Sequence, residues 1–327
     1  MDNFLRGSII DFINKYGFLF FNKKNVLGIG LGYKEIKNMI TKELCLHVLV
    51  KKKVLAQNLY EKDKIPKSFL GIKTDVIETG ELNIKNSISN DTISVNEKDI
   101  QILRKKTKII QAGYSIGPFH KVAGTIGGIV FDNNDERIPY MLSCNHVFTR
   151  GNKGKKGSSI LQPGVTDGGY YNGNIMGNLY EKIDFIYNKS KEDYKNPQNV
   201  VDAAIAKFDS KKLLYSTDIY KIGKLTDISQ GNLGNKVQKV GRTTGYTTAV
   251  VISTNVSTNF QMEYGICSFK ELIRTNHLGD GGDSGSLVVN FENKVIGLLI
   301  GGSNRSDYIA PIETVLNYLN IHFDFDN

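Results

Sequence analysis

The chain of 327 residues has no tryptophan, six prolines, three cysteines and no long apolar run. Each shortage excludes something. Cys45, Cys144 and Cys267 are odd in number and widely spaced, which argues against a disulfide framework and against the CxxC pairs of a zinc site, so reduced thiols are expected. Asp11, Asn14 and Lys15 interrupt the apolar residues near the N-terminus. The stretch Phe18 to Phe21 is too short for the h-region of a signal peptide or for a membrane span, so neither a leader nor a membrane partner is expected. With hydrophobic residues at 40% and charged residues at 23%, the composition is that of a globular protein and excludes global disorder.

The formal charge of +9 arises from 42 Lys+Arg against 33 Asp+Glu. The lysines are spread along the whole chain among asparagines and isoleucines, and no recognised nucleic-acid-binding motif is present. The surplus therefore reads as a solvated surface, with no specific nucleic-acid partner expected.

The length suits a two-lobed unit with a smaller domain attached. Ile9, Ile10, Phe12, Ile13 and Tyr16 have helical spacing within residues 7–21. Val26 to Leu31, the alternating Leu44, Leu46, Val48 and Val50, and Ile72 to Ile77 read as strands, which gives a small α+β domain over residues 1–85. Gly28, Gly30 and Gly32 do not make a dinucleotide fingerprint, because position 33 is tyrosine. Residues 86–108 are polar and end in the basic Arg104-Lys105-Lys106, as a linker would.

From 109 to 327 short strands alternate with Gly, Asn and Asp turns, the pattern of a barrel or sandwich. Asp132-Asn133-Asn134-Asp135 lacks the spaced ligands and terminal glutamate of an EF-hand and reads as a hairpin turn. Residues 151–178 read as long surface loops, and Ile312 to Ile321 as a terminal amphipathic helix.

Three stretches carry chemistry. Gly279-Asp280-Gly281-Gly282-Asp283-Ser284-Gly285-Ser286 is a glycine-rich turn that feeds an apolar strand. Such a turn lets backbone approach a substrate carbonyl and lets the amides of Gly282 and Ser284 converge as an oxyanion hole beside a nucleophilic Ser284. His146 follows the apolar run Tyr140-Met141-Leu142, where a strand end holds a general base rigidly; His47, His120, His277 and His322 lack that setting and read as structural. Asp202, in Val200-Val201-Asp202-Ala203-Ala204-Ile205, has the small apolar surroundings of a desolvated orienting carboxylate, and Asp184 is its rival.

The order His, Asp, Ser, with the blocks Ser-Cys-Asn-His, Asp-Ala-Ala-Ile and Gly-Asp-Ser-Gly, resembles the chymotrypsin-like serine proteases. Val240 to Thr247, with its Gly-Arg-Thr-Thr-Gly, is similar to the bacterial branch that includes alpha-lytic protease and the streptogrisins. Together the blocks cover residues 113–312. Leu27 to Lys34 followed by Leu44 to Val50 is similar to an accessory domain of uncharacterised bacterial trypsin-like proteins and of plant narrow-leaf-type proteases.

The resemblance implies a mainly β, two-barrel chymotrypsin-like protease domain preceded by the small α+β domain. It implies an endopeptidase acting on protein or peptide substrates without metal or organic cofactor, through His146, Asp202 and Ser284. A catalytically weak scaffold or binding protein on the same fold is the alternative. The substrate pocket would have Leu278 at its base and Ile300, Gly301 and Gly302 as walls, favouring an apolar residue before the scissile bond unless Asp307 points inward. Cleavage after Lys108, freeing Ile109, is not expected to be needed. Cys144 precedes the histidine and Thr247-Thr248 stands where secreted relatives carry a cysteine, so a reducing, cytoplasmic location is expected.

Overall fold

A computed structural model of the chain describes residues 2–37, 39–82, 96–120, 122–209 and 214–325. Helix α1 (Asp2–Tyr16) turns Ile9, Phe12 and Ile13 to one side, the spacing of a single helical face. With Phe20 of α2 (Phe18–Phe21) they pack on Ile29, Leu31, Leu46 and Val48 of strands β1 (Val26–Ile36) and β2 (Met39–Val50). Burying each of these large side chains contributes roughly 1.5–3 kcal/mol. Strand β3 (Ser68–Phe69) pairs with β4 (Ile72–Glu78), which lies parallel to β2.

The second half of the stretch read as a linker is ordered. Asn96 caps α3 (Glu97–Leu103), accepting from Lys98 N at 3.1 Å, Leu103 is fully buried, and Asp99 pairs with Lys221 at 2.5 Å. Residues 86–95 of that reading lie outside the described residues.

Next come β5 (Ile110–Ala112), β6 (Ser115–Pro118), β7 (Gly124–Thr125), β8 (Gly128–Asp132) and β9 (Asp135–Ser143), then α4 (Asn145–Thr149). Strands β10 (Ser159–Leu161), β11 (Ile175–Lys182) and β12 (Ala204–Phe208) follow, with α5 (Tyr171–Asn174) before β11, so the stretch read as loops over 151–178 carries strand as well. The pairing order is β8-β9-β12-β11-β10-β6-β7. Its two ends belong to one continuous stretch, 124–132, so the sheet curls back on itself into a first barrel. The turn between β8 and β9 is the expected hairpin, with Asn134 N donating to Asp132 at 2.8 Å.

The remaining strands are β13 (Tyr215–Ile219), β14 (Asp227–Ile228), β15 (Lys236–Gly241), β16 (Gly245–Met262), β17 (Gly265–Asn276), β18 (Leu287–Asn290), β19 (Lys294–Gly302) and β20 (Ser306–Pro311). The order β15-β18-β19-β20-β17-β16, with β16 pairing back to β15, closes a second barrel of six strands. Along β16 buried Thr247, Ala249 and Val251 alternate with more exposed neighbours, as one inward face of a strand requires. Helix α6 (Ile312–Leu319) ends at Asn320, whose φ of 54° stops it two residues short of the expected boundary, and β21 (Ile321–His322) returns to β8. The fold is thus mainly β with two barrels. No helix among the described residues is long and apolar enough to cross a membrane.

The N-terminal strands continue the sheet of the second barrel. β1 runs antiparallel to β16, with Gly28 opposite Thr258 and Gly32 opposite Ser253. The glycines permit this approach. A Cβ at Gly28 would fall 2.8 Å from Thr258 Cβ, and one at Gly32 would collide with the imidazole of His47.

Candidate active site

The pairing of β12 with β9 sets Ala204 opposite Ser143 and thereby brings the residues flanking these strands, Asp202 and His146, side by side. Asp202 is fully buried, and both of its oxygens serve His146: Oδ1 accepts from the backbone N at 3.0 Å and Oδ2 bonds Nδ1 of the ring. A carboxylate at Nδ1 requires the proton there, so Nε2 is left as the basic nitrogen. Asp184 is mostly exposed and pairs with Lys182. Asn145, which sequence reasoning passed over, ties α4 to the neighbouring loop by donating to Asn152 Oδ1 at 2.9 Å and to Ile183 O at 2.8 Å.

Ser284 sits where the two barrels touch. A Cβ at the next residue, Gly285, would lie 3.3 Å from Cys144 N and strike Ser143 Oγ, so the serine turn lies against the segment that leads into His146. Thr125 of the first barrel clasps the carbonyl side of this turn. Its N donates to Ser284 O, and its Oγ1 to Gly282 O, each at 2.9 Å. Gly282 has φ +100°, a left-handed conformation suited to glycine. Among the described residues the N–H groups of Gly282 and Ser284 donate to no protein acceptor, which leaves both for an incoming oxyanion. The hydroxyl of Ser284 donates to Ile300 O at 2.9 Å, so attack on a substrate requires its rotation toward His146.

Between these two amides lies Asp283, fully buried. Its carboxylate accepts from Thr243 N (2.8 Å), Thr244 N (3.2 Å), Thr244 Oγ1 (2.6 Å) and Asp280 N (3.0 Å), and it meets the ammonium of Lys239 at 3.1 Å. Burial alone would raise the pKa of this carboxyl. The Lys239 charge and the converging donors outweigh burial and hold it below the usual carboxylate range. Lys239, also fully buried, went unnoticed in the sequence because a strand lysine ordinarily faces solvent. Arg242 does not join this pair. Its guanidinium packs beneath Gly282 and bonds Asp167 at 2.5 Å, while Arg104, just after α3, donates to Arg242 O at 3.0 Å.

Leu278 presents no surface to the cleft: it is fully buried and packs with Val237, Val251, Ile273 and Leu299 inside the second barrel. Its backbone is pinned on both sides, N–H to Asp307 Oδ2 at 2.8 Å and carbonyl to Thr247 Oγ1 at 2.6 Å. Asp307 also accepts from Gly279 N at 3.1 Å and has His277 Nδ1 at 3.4 Å, so it is a buried acceptor for the turn. Ile300 offers its carbonyl to Ser284, and Gly301 and Gly302 are buried, opposite Tyr308 and Asp307.

Cys144 lies beside Asp202, and burial pushes its thiol well up, which leaves it protonated and a poor metal ligand. Cys45, His47 and Asp75 also cluster, but both ring nitrogens of His47 are engaged, Nδ1 with Ser253 Oγ at 2.7 Å and Nε2 with Tyr33 O at 2.9 Å. Of the other histidines, His277 lies between Asp280 and Asp307, and His322 bonds Asn133.

No protein-family model matches the chain. A stretch of 174 residues, 50% of the chain, is 28% identical to the pro-apoptotic serine protease NMA111 of Saccharomyces cerevisiae, and the match spans 16% of the length of that protein. Solved structures similar to the chain include Thermobifida fusca protease A (TM-score 0.48, 18% identity, 66% of this chain and 99% of that one). Nocardiopsis protease is similar at TM-score 0.47 and 18% identity, over 65% of this chain and 97% of that one. A glutamic-acid-specific serine protease described as using a histidine triad in substrate binding gives TM-score 0.48 and 17% identity, over 66% and 100%.

Proposed function

We propose that the chain is a serine endopeptidase that hydrolyses peptide bonds in protein or peptide substrates, with Ser284 as nucleophile, His146 as general base and acid, and Asp202 as the orienting carboxylate. The observation that carries this reading is the buried Asp202, holding His146 by backbone and ring at once, one barrel seam away from a serine turn whose two amides are left over. Ser284 Oγ leaves Ile300 O and gives its proton to His146 Nε2 while attacking the substrate carbonyl carbon. The carbonyl oxygen takes the negative charge between the amides of Gly282 and Ser284. His146 then protonates the departing amine as the C–N bond breaks, and a water deprotonated by the same nitrogen releases the acid from Ser284.

The three buried, unpaired thiols support a reducing, cytoplasmic location for this activity. The blocks shared with alpha-lytic protease and the streptogrisins support a bacterial enzyme.

Labelling by a fluorophosphonate tests the reading directly, because the reagent needs an activated serine. Wild-type protein is expected to label at Ser284 and to cleave a denatured protein substrate. Ser284→Ala and His146→Ala should lose roughly 10⁴- to 10⁶-fold in turnover while remaining folded. Equal cleavage by wild type and Ser284→Ala would reject the enzyme, and a folded wild type that never labels would mark a scaffold.

A further inference from the structure

The chain that leaves β4 runs on past the N-terminal sheet and docks beside the end of β19. Glu78 pairs with Arg305 at 3.1 Å, Thr79 O accepts from Ser303 Oγ at 2.5 Å, and Leu82 O accepts from Gln261 N at 3.2 Å. Thr79 is fully buried, and Leu82, nearly so, belongs to the same apolar cluster as Phe260, Ile300 and Tyr308. Residues 78–82 therefore bridge the tip of the β16–β17 hairpin and the turn between β19 and β20.

The position of this bridge relative to Ser284 follows from β19. Ile300 O is in contact with the Ser284 hydroxyl, and the β18 side of the strand is occupied as far as Leu299, whose N and O bond Ser286 O and Gly285 N. A substrate acylating Ser284 can extend only past that point, alongside Ile300 to Gly302, by adding to the strand edge. At about 3.3 Å per residue, its third residue before the scissile bond lies alongside Gly302, and a fourth would meet Ser303, where Thr79 already lies.

We propose that Thr79–Leu82 forms the outer wall of the cleft on the side N-terminal to the scissile bond, so that the enzyme grips about three substrate residues there and no more. The inference rests on the endopeptidase reading and gives the N-terminal unit a role in it. The wall selects for chains that turn away from the strand after the third residue, such as loops and short peptides, over long extended segments.

The test is a ladder of N-acetylated fluorogenic peptides of one sequence, carrying one to six residues before the scissile bond. For the full-length wild type, kcat/KM should rise roughly tenfold from one residue to three, as remote contacts contribute to the transition state, and then stay level or fall. Glu78→Gln combined with Arg305→Ala loosens the bridge at its exposed end. It should raise kcat/KM for the five- and six-residue peptides at least threefold relative to the three-residue one. A wild-type rate still climbing at the sixth residue, or a break at three that this variant leaves unchanged, would overturn the wall while leaving the endopeptidase standing. Absence of both hydrolysis and Ser284 labelling would remove the endopeptidase itself, and the wall with it.

Discussion

Replacing Lys239 by methionine removes one ammonium from a fully buried site and keeps the length of the side chain. Asp283 then faces only dipoles: the amides of Thr243, Thr244 and Asp280 and the hydroxyl of Thr244. Breaking a buried pair by removing one partner costs about 3–5 kcal/mol. Four donors remain to hold the carboxylate, so Lys239→Met should lie near the lower end, at about 3 kcal/mol. The damage should also reach chemistry, because Asp283 stands between the two amides proposed as the oxyanion hole. A hole that has lost one well-aimed donor loses about 10²- to 10³-fold in kcat.

The pH dependence has a definite sign. Asp283 is held below its unfolded value, so its contribution to stability is present above about pH 4 and is lost as pH falls through the folded value. Without Lys239 the burial that raises this pKa is less opposed, and the loss should begin at higher pH. With no tryptophan in the chain, urea unfolding is best followed by circular dichroism, together with the fluorophosphonate labelling rate. In Lys239→Met combined with Asp283→Asn no buried charge is left alone, and the double variant should be at least about 2 kcal/mol more stable than the sum of the single losses implies. A Lys239→Met protein within about 0.5 kcal/mol of wild type and labelling at the wild-type rate would refute the reasoning.

Burial lowers the imidazole pKa of His47 to about 4, so stability should decline as pH falls from about 6.5 to 4, by about 3 kcal/mol. His47→Asn should flatten that slope in urea unfolding at pH 7 and 4.5, and an unchanged slope would place the titration elsewhere. Asp307→Asn should cost about 1–3 kcal/mol through weakened acceptance from Leu278 and Gly279, without altering which residues precede the cleaved bond. A peptide library cleaved mainly after Lys or Arg, with that preference lost in Asp307→Asn, would show the acid facing substrate after all. Full-length protein should label without any cut at Lys108, and labelling that appears only once N-terminal sequencing reads Ile109 would contradict this.

What could be read from the sequence and what could not divide along the range of the interactions. His146, Asp202 and Ser284 each stand in a local block whose neighbours state the setting, and α1, β1, β2 and β4 announce themselves by spacing. The choice of Asp202 over Asp184 was legible because small apolar neighbours signal burial. Contacts set by register across distant strands left no such trace. Nothing near Gly28 says that β1 lies on β16, nothing near Thr125 says that it clasps Ser284, and Lys239 reads as one lysine among many. The burial of Leu278 left no such trace either. Counting back from the nucleophile gives the position, but the direction of the side chain is set by Asp307 and Thr247, which are remote in sequence.

These remote contacts converge on one loop, and their sum bears on how activity is switched. The first barrel holds the carbonyls of Gly282 and Ser284 through Thr125, and the second neutralises Asp283 through Lys239 and the Thr243-Thr244 amides. The segment before the first barrel braces Arg242 through Arg104. A new N-terminus at Ile109 would find the buried Asp283 already paired with Lys239, and Ile110 next to it is fully buried and bonded to Leu214 O at 2.9 Å. Freeing it would break that strand pairing in order to supply a second cation to a carboxylate that has one. The geometry therefore ties the conformation of this loop to the folding of both barrels and of the segment that follows α3.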